Sequence, residues 1–273
     1  MQIPQTSRPL TIGLFDSGIG GLSLLNPLLN AVPARYLYFA DTAFLPYGNK
    51  TVEQLQERCN HITAFLIEQG ADIIISACNT LSTCAVPALS TELAIPLISS
   101  AQLIVDAFKH EAMMQSIGII GTEATIRSQY FPHQLQALIP SAHIIERKCP
   151  LLASWIEEQR DEAAIAELVS LYLHPLKQAH IEALIIGCTH YAHIRSIIKK
   201  YMGNQVRLIS AEQYIVKAVQ SYSTSAEYTA EKRVMFFNSI FEQSSAERFL
   251  AYLPAIQEYQ YAFRAIPAYL PLV

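Results

Sequence analysis

Two of the five cysteines, Cys78 and Cys188, stand where a thiol could do chemistry. Each closes a short apolar run and is followed at once by polar residues, Asn79-Thr80 in one case and Thr189-His190 in the other. A free cysteine is usually a small core hydrophobe, and that reading is kept for Cys59, Cys84 and Cys149, whose neighbours offer no such groups. The amide and hydroxyls after Cys78 and Cys188 can donate hydrogen bonds to a carboxylate, as can the backbone N–H groups of a following helix. A thiol among such donors can be tuned toward the thiolate, its reactive form.

Other strand-end clusters could serve the same ligand. Asp16-Ser17-Gly18-Ile19-Gly20-Gly21 lets a backbone approach an anionic substrate closely, with Asp16 holding an ammonium group or orienting a proton carrier. The competing reading is a dinucleotide fingerprint with Asp41 about 20 residues on, but Ser23 occupies the place of its third glycine. Gly121-Thr122-Glu123-Ala124-Thr125 is a hydroxyl-bearing loop suited to a carboxylate, whereas Pro46-Tyr47-Gly48 reads by composition as a turn. Cys188, His190 and His193 lack a C-x-x-C partner or a fourth ligand, so no metal site is assigned. Glu157 and Glu158, after the apolar stretch that follows Pro150, read on their own as an exposed helical pair.

The elements that must position these residues are short apolar runs. Thr11–Phe15, Tyr36–Ala40, Asp72–Ala77, Ser116–Ile120 and Ala183–Ile186 each stop abruptly at small polar residues. Runs without alternation, separated by helical patterns such as 52–69 (Thr51 as N-cap) and 161–179, predict buried parallel strands of an α/β fold. Ligands of such sheets gather outside the carboxyl ends of the strands, where every polar cluster above lies. The chain also resembles itself. Thr11-Ile12-Gly13-Leu14-Phe15 parallels Ser116-Ile117-Gly118-Ile119-Ile120, and Asp72 to Cys78 parallels Glu182 to Cys188, both at offsets a little above 100 residues. Two related α/β domains are expected, residues 1–97 with 210–273 forming one and 98–209 the other. If the halves face each other, the two cysteines approach a shared cleft from opposite sides.

Composition narrows the class. The 273 residues are 51% apolar and 15% charged, which fits a compact enzyme rather than a disordered chain. A net charge of −4 gives no electrostatic footprint for nucleic acid. No apolar run nears the roughly 20 residues that span a bilayer, and 1–10 has no secretory h-region and reads as a short leader. An odd, irregular set of cysteines makes no disulfide framework, so a reduced cytoplasm is expected. No lysine adjoins a strand-end motif, which disfavours a pyridoxal Schiff base and points to cofactor-free chemistry.

Phe15-Asp16-Ser17-Gly18, Pro46-Tyr47-Gly48, Ala77-Cys78-Asn79-Thr80, Gly121 to Thr125 and Gly187-Cys188-Thr189-His190-Tyr191 together resemble, in order and spacing, the bacterial glutamate racemases of the aspartate/glutamate racemase family. The likeness runs from Thr11 to about Leu253. It implies two α/β domains with the active site in the cleft between them, and interconversion of L- and D-glutamate for peptidoglycan synthesis without a cofactor. It implies Cys78 and Cys188 as the two proton carriers, Asp16 and His190 as their helpers and Glu157 as a further acidic helper. By the same likeness Asp16, Ser17, Tyr47, Gly48, Asn79, Thr80, Thr122, Thr125, Thr189 and His190 bind substrate. Members of the family include some that respond to a peptidoglycan precursor and some that bind DNA gyrase; no motif here decides either, and a homodimer stays open. Three departures stand out: Ala192-His193 where the family has a proline, Ser99-Ser100-Ala101-Gln102 for a Val-x-Pro segment, and Ser210-Ala211 for Asp-Ser. They keep open an altered substrate such as aspartate, or a non-catalytic binding protein on the same fold.

Overall fold

The structure, a computed structural model, describes residues 9–89, 93–109, 111, 113–222, 232–239 and 243–266. The leader up to Arg8 lies outside them. The runs of branched and aromatic apolar residues form the central strands, which bury nearly every side chain because they are covered on both faces, while the edge strands His143–Lys148 and Gln260–Ala265 stay largely open to solvent. The strands are β1 (Thr11–Asp16), β2 (Arg35–Ala40), β3 (Ile73–Ser76), β4 (Leu97–Ser99), β5 (Ser116–Gly121), β6 (His143–Lys148), β7 (Ala183–Gly187), β8 (Arg207–Ile209), β9 (Arg233–Asn238) and β10 (Gln260–Ala265).

Two sheets result, one ordered β10-β9-β2-β1-β3-β4 and the other β6-β5-β7-β8, and every pairing is parallel. The two sheets share one plan. Beneath the added β9 and β10, the order β2-β1-β3-β4 is matched by β6-β5-β7-β8, so the strands that resemble one another in sequence (β1 with β5, β3 with β7) occupy equivalent places. The chain passes between the sheets twice, once after β4 and once after β8.

The first passage leaves from the edge strand β4. Leu97, Ile98 and Ser99 pair with Ile74, Ile75 and Ser76 at the edge of the first sheet, because a partly apolar edge strand gains a full ladder there. Helices cover both faces. Val52–Glu68 begins at Thr51 with a reciprocal capping box to Gln54, and Glu162–Gln178 begins at Asp161, whose carboxylate accepts from the Ala164 N–H at 3.0 Å. Among the described residues no helix is long and apolar enough to cross a membrane.

Candidate active site

Cys78 follows β3 by two residues and stands at the N-cap position of the short helix Asn79–Cys84, while Cys188 directly follows β7 and stands at the N-cap position of Thr189–Ala192. Each strand delivers its thiol to the carboxyl end of its sheet, where the backbone turns into a helix. Both sulfurs line one cavity of about 470 Å³. Burial pushes the Cys78 thiol well up, and the Asp16 charge adds to this; the N–H groups of Leu81 and Thr80 oppose it, and a charge on Cys188 raises it further.

The second half surrounds its thiol with a relay. His190 Nδ1 lies 4.0 Å from Cys188 Sγ, and its Nε2 lies 2.7 Å from Glu157 Oε2. With Nε2–H donated to the carboxylate, Nδ1 is left to exchange a proton with the sulfur. Burial alone would lower the pKa of His190, yet the hydrogen bonds and charges of Cys188 and Glu157 lift it well above the ordinary imidazole value. Glu157 is held below its usual value despite burial, because His190 and the Ile19 N–H bond its ionised form.

The glycine-rich turn accounts for how closely the halves meet. A Cβ at Gly18 would run into the Glu157 carboxylate, and one at Gly20 would run into Thr189 Oγ1 and His190 Nδ1. Across this contact the Ile19 N–H donates to Glu157 Oε2 at 3.0 Å, and the Thr189 hydroxyl donates to Asp16 Oδ2 at 3.0 Å. Burial raises the Asp16 pKa, and His190, Gly18 and Thr189 only partly offset it. The turn thus serves packing between the halves. Asp41, the acid of the competing dinucleotide reading, is fully buried and already accepts from Arg58 and from the Tyr47 hydroxyl.

Those distances define what the arrangement can do: two buried thiols, unlike in their surroundings, flank one cavity and can take and give a proton there. The family described as Asp/Glu/Hydantoin racemase matches residues 18–219. The chain belongs to that family. It is an isomerase, and its two parallel sheets match the two-domain α/β fold of solved glutamate racemases. It is 34% identical over 212 residues to the glutamate racemase of Geobacter metallireducens, covering 76% of this chain and 78% of that one. The glutamate racemase isoform RacE1 of Bacillus anthracis superposes with a TM-score of 0.84 at 29% identity, over 97% of this chain and 99% of that chain. The glutamate racemase of Francisella tularensis, solved with D-glutamate, superposes at 0.81 and 29% identity, over 96% and 98%.

Of the residues expected at the racemase site, Ser17, Tyr47, Gly48, Cys78, Asn79, Thr80, Thr122, Glu157, Cys188, Thr189 and His190 line the cavity. Asp16 and Thr125 stand behind it. Thr125 closes a ring of hydroxyls with Thr80 and Thr122, which are 2.9 Å apart. The reading of Glu157 and Glu158 as an exposed pair fails for the first: Glu157 turns inward onto His190 while Glu158 pairs with Arg160 at 2.8 Å. Tyr47 is more than a simple turn residue, since it lines the cavity while its hydroxyl donates to Asp41 Oδ2 at 2.6 Å.

Sequence reasoning missed Leu151, Ala153, Ser154 and Asn49 as lining and missed Arg58 altogether. Their only signal was proximity to Pro150 and to the Tyr47 turn. The departures are structural at these points. His193 donates from Nε2 to the Ile19 carbonyl at 3.0 Å and lies with its ring centroid 4.3 Å from that of Tyr252. Ser100 Oγ lies 3.0 Å from Ser82 Oγ and 3.5 Å from Asn79 Oδ1, and Arg195 donates to Ser210 at 2.8 Å. Among the described residues no group of three or more His, Cys, Asp or Glu side chains could hold a metal ion.

Proposed function

We propose that this racemase interconverts L- and D-glutamate, supplying the D-isomer to peptidoglycan synthesis, with Cys78 and Cys188 as the two proton carriers. One observation carries the reading: two thiols at equivalent ends of two related sheets line one cavity. Racemisation needs a proton taken from one face of the α-carbon and another given to the opposite face. In one direction a thiolate takes the α-proton, so the C–H bond breaks and an S–H bond forms. The second thiol then gives its proton to the far face, so a new C–H bond forms and a thiolate is left. Burial, with the Asp16 charge beside it, holds the Cys78 pKa well up, which suits that sulfur to wait as the thiol of the pair.

Asp16 assists Cys78, and His190 with Glu157 assists Cys188. The substrate carboxylates are received by Ser17, Asn79, Thr80, Thr122 and Thr189, with Thr125 steadying the hydroxyls and the Tyr47–Gly48 turn closing one wall. No Lys or Arg lines the cavity among the described residues, so neutral donors and helix amides must meet the negative charge that develops in the transition state. The working units are a first domain of residues 1–97 and 210–273 and a second of 98–209, adjusted at β4. The setting is a reducing cytoplasm, supported by five unpaired cysteines. The glutamate racemases among its relatives support the substrate. Circular dichroism of L-glutamate incubated with the purified protein tests the reading. Decay of the signal to zero is expected, and an unchanged signal, or faster turnover of aspartate at matched concentration, would overturn it.

A further inference from the structure

The first-half wall of the cavity rests on a buried ion pair that the proton transfer itself does not use. Asp41 follows β2, is fully buried, and is bound by Arg58 from the helix Val52–Glu68 through one edge of the guanidinium, Nε to Oδ2 at 2.7 Å and Nη2 to Oδ1. Its Oδ2 also accepts from the Tyr47 hydroxyl at 2.6 Å. Arg58 is itself 6% exposed and lies 5.5 Å from the centroid of the Phe44 ring, which meets Tyr47 edge-on at 5.9 Å.

A bidentate pair of this kind fixes direction as well as charge, because the planar guanidinium locks both carboxylate oxygens. With Asp41 locked, the Tyr47 hydroxyl has one place to donate, and the ring is held between Asp41 and the cavity. The turn that follows carries Gly48 across to the second half, where a Cβ on Gly48 would stand 3.2 Å from Thr122 Cβ. Arg127 of the second half adds a bond to the Lys50 carbonyl at 3.0 Å. The turn is therefore a wall of the cavity that spans both halves, anchored from behind.

Resting on the proposed racemisation, we infer that Arg58 is a positioning residue for substrate binding: through Asp41 and the Tyr47 hydroxyl it sets the Tyr47–Gly48 turn against Thr122. It touches no reacting atom. Its effect belongs in the affinity for substrate, and it reaches the cavity only by way of Tyr47. Charge neutrality is part of the device. Asp41 without Arg58 would be an uncompensated buried anion, and Tyr47 is close enough to both Asp41 and Cys78 to feel either charge.

A double-mutant cycle between Arg58 and Tyr47 tests this, with KM and kcat measured separately for both glutamate enantiomers. Arg58→Met is made in an Asp41→Asn background, so that no charge is stranded, and Tyr47→Phe removes only the hydroxyl. KM should rise about tenfold in each, with a much smaller fall in kcat, and the combined variant should show the same rise rather than the product of two. Arg58→Lys, with Asp41 intact, should recover part of the loss. Multiplying KM effects, or a folded Arg58 variant with unchanged KM, would overturn the inference. If the Arg58→Met protein does not fold, Arg58→Lys with Tyr47→Phe runs the same cycle. An inactive wild-type protein would instead sink the racemase reading on which this rests.

Discussion

Replacing Glu157 by Gln changes one atom of a side chain that two donors share. Glu157 Oε2 receives His190 Nε2 at 2.7 Å and the Ile19 N–H at 3.0 Å. Glutamine can keep an acceptor in that place but loses the charge. A hydrogen bond to an ionised group is worth about 1 kcal/mol more than a neutral one, so two such bonds lose about 2 kcal/mol, or roughly 30-fold in rate. The pH profile should move with it. Glu157 is among the groups that lift the His190 pKa; the imidazolium is present below that pKa and is lost as pH rises through it. Removing the carboxylate lowers the pKa, so the basic limb of kcat/KM should shift to lower pH. Because the two enantiomers are equal in free energy, kcat/KM must fall equally in both directions, and the asymmetry will show in kcat and in isotope effects at the α-hydrogen. A folded Glu157→Gln enzyme with a rate within twofold of wild type and an unmoved basic limb would refute the relay.

Cys78→Ser and Cys188→Ser should each stay folded and lose racemisation by a thousandfold or more, about 4 kcal/mol, while elimination from a substrate with a β leaving group survives with opposite enantiomer preference in the two variants; near wild-type racemisation by either would end the two-thiol mechanism. Exhaustive EDTA treatment should leave turnover unchanged, as measured by circular dichroism before and after. His193, held to about 4 mainly by burial, is neutral in the fold, so it contributes stability that is present above its ordinary 6.5 and is lost as pH falls from there toward 4, up to about 3 kcal/mol. Melting temperatures of His193→Gln should therefore fall less between those pH values than wild type, and parallel curves would contradict this.

The parallel strands and the equivalence of β1 with β5 and β3 with β7 were legible because buried runs that end in polar clusters leave a local signature. The thiols were legible for the same reason, each being followed directly by donors. Glu157 was legible only through the family resemblance, because a single helix reads as exposed until the Gly18–Gly20 turn of the other half is laid against it. Arg58 was hidden for a related reason. Its partner Asp41 is 17 residues away, and on an amphipathic helix a lone arginine reads as solvated. Contacts made across the cleft are non-local, and short-range pattern carries no trace of them. The β4 boundary lay beyond the pattern too, since three residues are too few to show a period.

The two passages of chain between the sheets have a mechanical consequence. Bodies joined by one tether can swivel freely, whereas bodies joined by two retain chiefly rotation about the line through both joints. Any breathing of this molecule is thereby steered toward a single jaw-like angle.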